Sequence, residues 1–362
     1  MSFIRSLTGI RAVAALWVLL GHYSSYLNEN FGLDRTTPLQ PLIGSAWAGV
    51  DLFFVLSGFI ITHTYLNNFI HSGLSESPHF WWKRISRLYP VYLTTTLVAA
   101  CFYLVATITG HNFRNESAAN LSPGVFVANI LGVQQWLGLP SLDGPAWSVS
   151  AEIFAYSIFP LIALSLLRIE SRPLLICFAI FAVALLLVDT SRTPINPRIW
   201  QVTFEFTLGA LIYKASRGVD FKHAIHFATP LRTALWLASV TIIYAAGGHS
   251  AEWHAPLAAA FSLLILLYSL DGQERSPLAS KTFITLGLWS YSLYLVHRLL
   301  QNVMSGIGIP TSSHFLLNVL LFMILLLIPI GLSGLTFTYI EEPSRKYLNE
   351  RPWLRRKAAT TD

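Results

Sequence analysis

The chain has 362 residues, of which 54% are hydrophobic and 12% charged, with a formal net charge of +6 and a mean hydropathy of +0.54. An ordinary soluble domain carries roughly 25% charged residues, so a water-soluble fold would leave this much apolar surface uncovered. Two further classes fall away: the two cysteines, Cys101 and Cys177, lie inside apolar runs, read as small core residues and make no disulfide framework, and no basic stripe interleaved with aromatics marks a nucleic-acid surface.

The apolar pattern predicts an all-α, polytopic membrane protein with ten transmembrane helices, near 9–27, 47–67, 89–109, 148–167, 173–189, 199–214, 230–246, 255–270, 283–303 and 314–340. Such stretches suit about 30 Å of hydrocarbon. The first is expected to be a span, since no small-residue cleavage site follows it. The segment 123-PGVFVANILGVQQWLGLP-140 holds Pro, Gly, Asn and two Gln, and is expected to be interfacial or re-entrant. Lysines and arginines then gather on one side, which the positive-inside rule makes the cytoplasm, with both termini inside. The expected organisation is one membrane domain, 1–345, and a short basic cytoplasmic tail, 346–362. There is no internal repeat.

Several polar groups are costly in lipid and mark candidate sites. In the first span, 9-GIRAVAALWVLLGH-22, Arg11 and His22 are eleven residues apart, which puts both on one helix face about 16 Å apart along the axis. In 49-GVDLFFVLSGFIIT-62, Asp51 falls at a comparable depth to His22 on the next helix. A carboxylate beside an imidazole fixes its tautomer and stabilises the imidazolium, as a general base requires. The bland reading of His22 is a histidine bonded to a backbone carbonyl. The tract 81-WWKRISRLYP-90 places Lys83, Arg84 and Arg87 in an inner loop; guanidinium forks suit phosphate oxygens, although orientation alone also calls for basic residues there. Glu152 in 145-PAWSVSAEIFAYSIFP-160 is expected in the outer half, to bind acceptor hydroxyls or to tie helices, with Trp147 as an interfacial anchor and a further acceptor-side candidate. Glu205, in 201-QVTFEFTLGA-210, follows the same logic. His297 and Arg298, in 287-GLWSYSLYLVHRLL-300, either line an acceptor pocket or face water at a helix end. The tract 339-YIEEPSRKY-347 suggests a structural helix end. There is no HExxH, paired CxxC, GxSxG or P-loop, so no metal is expected and neither metalloprotease, serine-esterase nor NTPase chemistry has support.

Arg11 and His22, then GVDLFFVLSGFIIT, KRISRLYPVY, WSVSAEIFAYSIFP, SYSLYLVH and YIEEP follow one another over about 335 residues. In this the sequence resembles the bacterial acyltransferase-3 membrane family, which moves acyl groups, most often acetyl, onto extracytoplasmic sugars and other acceptors. The resemblance implies a ten-helix core in the bacterial inner (cytoplasmic) membrane and cytoplasmic acyl-coenzyme A, acetyl-coenzyme A above all, as donor. It further implies essential roles for Arg11 and His22, and a part for Arg84 and Arg87 in donor binding or catalysis. The chain is expected to be of the stand-alone type, without a C-terminal hydrolase-like domain. The expected partners are acyl-coenzyme A, a carbohydrate or lipid-linked sugar acceptor, and membrane lipid. The expected chemistry is direct transfer, with His22 oriented by Asp51 as general base; a ping-pong route through acylated His22 is the competing mechanism. The other class is a multi-pass transporter or flippase for a sugar-containing substrate, since buried charges also suit a substrate path.

Overall fold

The computed structural model describes residues 4–32, 37–110, 121–185, 196–217, 225–247, 253–270, 276–307 and 314–350. Among these the structure is helical, with no strand. The helices are α1 Arg5–His22, α2 Ser24–Phe31, α3 Gln40–Gly44, α4 Ala46–Ser72, α5 Ser77–Thr109, α6 Pro123–Leu131 and α7 Ala146–Arg168. They continue as α8 Arg172–Leu185, α9 Pro197–Ser216, α10 Ile225–Ala246, α11 His254–Ser269, α12 Lys281–Ile307, α13 Phe315–Thr336 and α14 Glu342–Asn349. A helix lies over each of the ten expected segments. Three helical stretches, Ala46–Thr109, Ala146–Arg168 and Phe315–Asn349, have the length and apolarity to cross a membrane. This is a membrane protein, and its outer helices display the apolar side chains that lipid requires: Ile176, Ile180 and Phe181 on α8, and Leu316, Leu320 and Leu327 on α13, are all exposed.

Two helix pairs form the centre. α4 packs along α9, and α1 along α12. Glycines permit both approaches: a methyl group at Gly58 would strike the Phe206 carbonyl oxygen, and one at Gly287 that of Thr8. Close backbone contact through small residues is the usual basis of helix association in lipid. Thr8 meets Gly287 at one end of the α1–α12 pair, and His22 meets His297 at the other, so these two helices run parallel. α4 runs against α1, with Gly21 facing Ala46 and Gly49 facing Ala14.

The structure departs from the expectations in three places. The tract 81–90 is not a loop: it forms the first turns of α5, a 33-residue helix about 50 Å long. Pro78 starts that helix and Pro90 lies inside it, where a proline removes one backbone hydrogen bond. Residues 346–349 are not the start of a separate tail, because α14 continues through them and docks on α5. There Trp82 donates to the Leu348 carbonyl (3.0 Å) and Ser86 to Asn349 Oδ1 (3.3 Å). The rest of that tail, 351–362, lies outside the described residues. Cys101 and Cys177 are exposed rather than packed inside. The segment 123–140 contains only the nine-residue helix α6, about 13 Å long, followed by turns pinned inward as Gln134 donates to the Ala146 carbonyl and Trp136 to that of Ser150.

Candidate functional site

Between α1, α4, α5, α7 and α12 lies a cavity of about 270 Å³. Its polar wall holds Arg11 from α1, Arg84 and Arg87 from α5, and Glu152, with Ser57 and Tyr156 beside it; Phe53, Phe54 and Ile60 of α4 form much of the apolar wall. Arg84 is already engaged, donating to Tyr65 Oη (2.6 Å) with its guanidinium over the Tyr65 ring. Arg11 and Arg87 are not: neither makes a hydrogen bond or an ion pair among the described residues. A guanidinium in an apolar interior without a close counter-ion is expensive, and two of them facing one cavity fit an anion with several oxygens. Lys83, which the sequence grouped with these arginines, does not line the cavity. Arg84 and Arg87 fall about one turn apart on α5; Lys83, although four positions from Arg87, is turned about 100° from Arg84.

Glu152 also differs from expectation. It accepts from Ser57 Oγ (2.9 Å) and from the Tyr156 hydroxyl, and it lines the cationic cavity rather than a separate acceptor-side pocket. At the opposite end the cavity is bounded by Ser148 and Tyr294, joined by a 2.8 Å hydrogen bond. The Tyr294 ring lies against that of His297, with centroids 6.1 Å apart.

Beyond Tyr294 sits a pair of histidines. His22 Nδ1 lies 2.9 Å from the Val18 carbonyl and 3.2 Å from His297 Nε2. His297 Nδ1 lies 3.0 Å from the Leu293 carbonyl. A carbonyl oxygen only accepts, so each Nδ1 carries the hydrogen and each Nε2 the lone pair. The Nε2 of His22 makes no hydrogen bond among the described residues. α12 holds the backbone of His22 as well: Gln301 donates to its carbonyl (2.6 Å), and Arg298 donates to Gln301 (2.6 Å). His297 is thus a buried partner of His22 rather than a pocket lining or a solvent-facing group, and Arg298 is its neighbour's anchor.

Asp51 does not orient His22. Because Gly21 faces Ala46, His22 is level with the start of α4, and Asp51 lies five residues, about 7 Å, farther along. Its oxygens turn to α9 and α11, accepting from Gln201 Nε2 (2.9 Å) and His254 Nδ1 (2.7 Å). Glu205 joins them through the Gln201 amide (3.0 Å), and its Oε2 has no hydrogen-bond partner among the described residues. Asp51, Glu205 and His254 offer donor atoms within 4.8 Å of one another, a set of the type that holds metal ions. The 2.7 Å between Asp51 and His254 is nonetheless a hydrogen-bond distance; ligands of one tetrahedral zinc ion at about 2.1 Å stand roughly 3.4 Å apart. The set ties α4, α9 and α11 together. Glu205 is therefore part of this brace rather than of an acceptor pocket. Trp147 stacks under the Arg198 guanidinium, 4.7 Å from its ring centroid.

Residues that the sequence reading did not single out complete these groups: Ser57, Tyr156, Gln201, His254, Tyr294 and Gln301. Four of them stand four positions from a predicted residue, Tyr156 from Glu152, Gln201 from Glu205, Tyr294 from Arg298 and Gln301 from His297. The helical i, i+4 relation was the available signal for these.

Residues 4–338 match a family model described as an acyltransferase domain. The chain is 27% identical to the acyltransferase MdmB of Streptomyces mycarofaciens, over 96% of this chain and 92% of that protein. It is 25% identical to a putative O-acetyltransferase of Staphylococcus aureus (strain COL), over 67% of this chain but 35% of that protein. It is also similar to protein 2 in the picA locus of Rhizobium radiobacter, 28% identical over 42% of this chain and 78% of that one. No solved structure matches. These names do not favour the transporter expectation.

Proposed function

This chain belongs to the acyltransferase-3 family, and from that membership we propose a membrane-bound O-acyltransferase that moves an acyl group, acetyl in the first instance, from acyl-coenzyme A to a hydroxyl group of an extracytoplasmic glycan or glycolipid. The chain would sit in a bacterial inner membrane as ten spanning helices with both termini cytoplasmic. The observation that carries the reading is the pair of cavity arginines, Arg11 and Arg87, that lack a hydrogen bond or ion pair among the described residues. Phosphate oxygens of coenzyme A supply the charge they lack, with Arg84 beside them. The thin pantetheine arm suits the apolar wall of α4, and its thioester end would reach toward Tyr294 and the histidine pair.

The chemistry follows from the tautomer. His22 Nε2, bearing the lone pair, takes the proton of the acceptor hydroxyl. The acceptor oxygen bonds to the thioester carbonyl carbon, the carbon–sulfur bond breaks, and the departing sulfur takes the proton from His22. General-base catalysis supplies about 10²- to 10⁴-fold, and alignment of the two substrates supplies much of the rest. Val18, through its carbonyl, replaces Asp51 as the group that fixes the imidazole.

The test uses the full chain in nanodiscs with radiolabelled acetyl-coenzyme A, following free thiol and label. Slow thiol release by the wild type, with an Arg87→Ala variant requiring far more donor, is the expected result. A wild type that neither binds nor consumes acetyl-coenzyme A would overturn the proposal. Stable label on the protein without acceptor would replace direct transfer by the acyl-enzyme route.

A further inference from the structure

We propose that His297 is the positioning residue of His22: its Nε2 accepts the Nδ1–H of His22 and shares the positive charge that His22 acquires as a base. This rests on the reading of His22 as the base.

His297 is 1% exposed, and a buried imidazole is costly unless its nitrogens are engaged. Both are. Donation from Nδ1 to Leu293 fixes Nε2 as an acceptor, and the nearest donor to it is His22 Nδ1 at 3.2 Å. The ring centroids lie 4.9 Å apart and the planes are inclined by 55°, so the contact is nitrogen to nitrogen rather than a stack. One helical turn on, Gln301 grips the His22 carbonyl. α12 thus holds both the side chain and the backbone of the same residue, more than packing two helices requires.

The consequence is chemical. When Nε2 of His22 takes the acceptor proton, the ring becomes cationic while Nδ1–H stays in place, donated to the Val18 carbonyl and to His297. No bond to His297 is made or broken over the cycle, and the proton leaves from His22 Nε2 to the departing thiolate. Hydrogen bonds to a charged group are roughly twice as strong as neutral ones, so the His297 contact strengthens as charge develops. It therefore acts on kcat and not on donor binding.

The test compares wild type, His297→Phe, His297→Gln and His22→Ala, each as the full chain in nanodiscs with acetyl-coenzyme A, measuring thiol release, KM for the donor and Tm. Glutamine presents an amide oxygen where the His297 lone pair lies; phenylalanine presents none. The expected result is that His297→Phe loses roughly 10- to 100-fold in kcat with an unchanged donor KM, and that His297→Gln recovers most of it. Wild-type kcat in a folded His297→Phe overturns the proposal, as does a His297→Gln that is wild-type in Tm but no better than His297→Phe. Should His297→Phe fail to fold, His297→Gln decides alone: near-wild-type kcat supports the proposal, and loss of kcat at wild-type Tm overturns it. Undiminished thiol release by His22→Ala would instead sink the base assignment itself.

Discussion

Two histidine groups pack against α4, and they differ in what holds the imidazole. His254 faces Asp51 and Glu205, both fully buried, and its Nδ1 is committed to a carboxylate at 2.7 Å. His22 has no carboxylate within ion-pair distance among the described residues; backbone carbonyls and a second imidazole hold it, and its Nε2 is left without a hydrogen bond. A histidine paired with a buried carboxylate is a strut, because removing either partner strands the other in a medium that cannot solvate it. His22 is held only by neutral acceptors, so its loss strands no buried charge. The sequence pointed to the wrong partner for Asp51, and the contrast between the two groups explains why each still makes sense.

The comparison can be broken most forcefully at the strut. His254→Ala leaves Asp51 and Glu205 with no cation close by, and loss of one partner of a buried pair costs about 3–5 kcal/mol; the expected outcome is a large fall in Tm, with kcat of the remaining folded protein unchanged. A fall in kcat at constant Tm would move chemistry to that site. Next in size, Arg11→Gln removes a charge from the donor cavity without touching either histidine group. Hydrogen bonds to charged groups contribute about 1.5–3 kcal/mol, so donor KM should rise on the order of 10- to 100-fold in steady-state titrations while kcat at saturation holds. The smallest change sharpens the boundary between cavity and histidines. Tyr294→Phe deletes the hydrogen bond to Ser148, a neutral contact of about 0.5–1.5 kcal/mol, and should alter thiol-release rates only a few-fold.

Much of the fold was legible because hydrocarbon imposes it: long uncharged runs become helices, and a Pro- and Gln-containing stretch such as 123–140 does not span. The basic tract 81–90 misled because charge suggests a loop, whereas α5 carries it as helix and turns Arg84 and Arg87 into the cavity. Of the site, Arg11, Arg84, Arg87 and Glu152 were found as costly groups, yet that cost says nothing about which helices meet. Glu152 was assigned to the acceptor side because depth along a helix was read without the direction in which its side chain points. His22 and Asp51 were paired on similar depth in the sequence; the facing glycines on α1 and α4 set the register that separates them. His297 and His22 are 275 positions apart, and only the parallel packing of α1 and α12 joins them.

The most direct test of the account is thiol release from acetyl-coenzyme A by wild type and His22→Ala, side by side in nanodiscs, with Tm recorded for both. The account predicts a variant with wild-type Tm whose release has fallen by about 10²- to 10⁴-fold, the share of a general base. Equal release by the two proteins would contradict it.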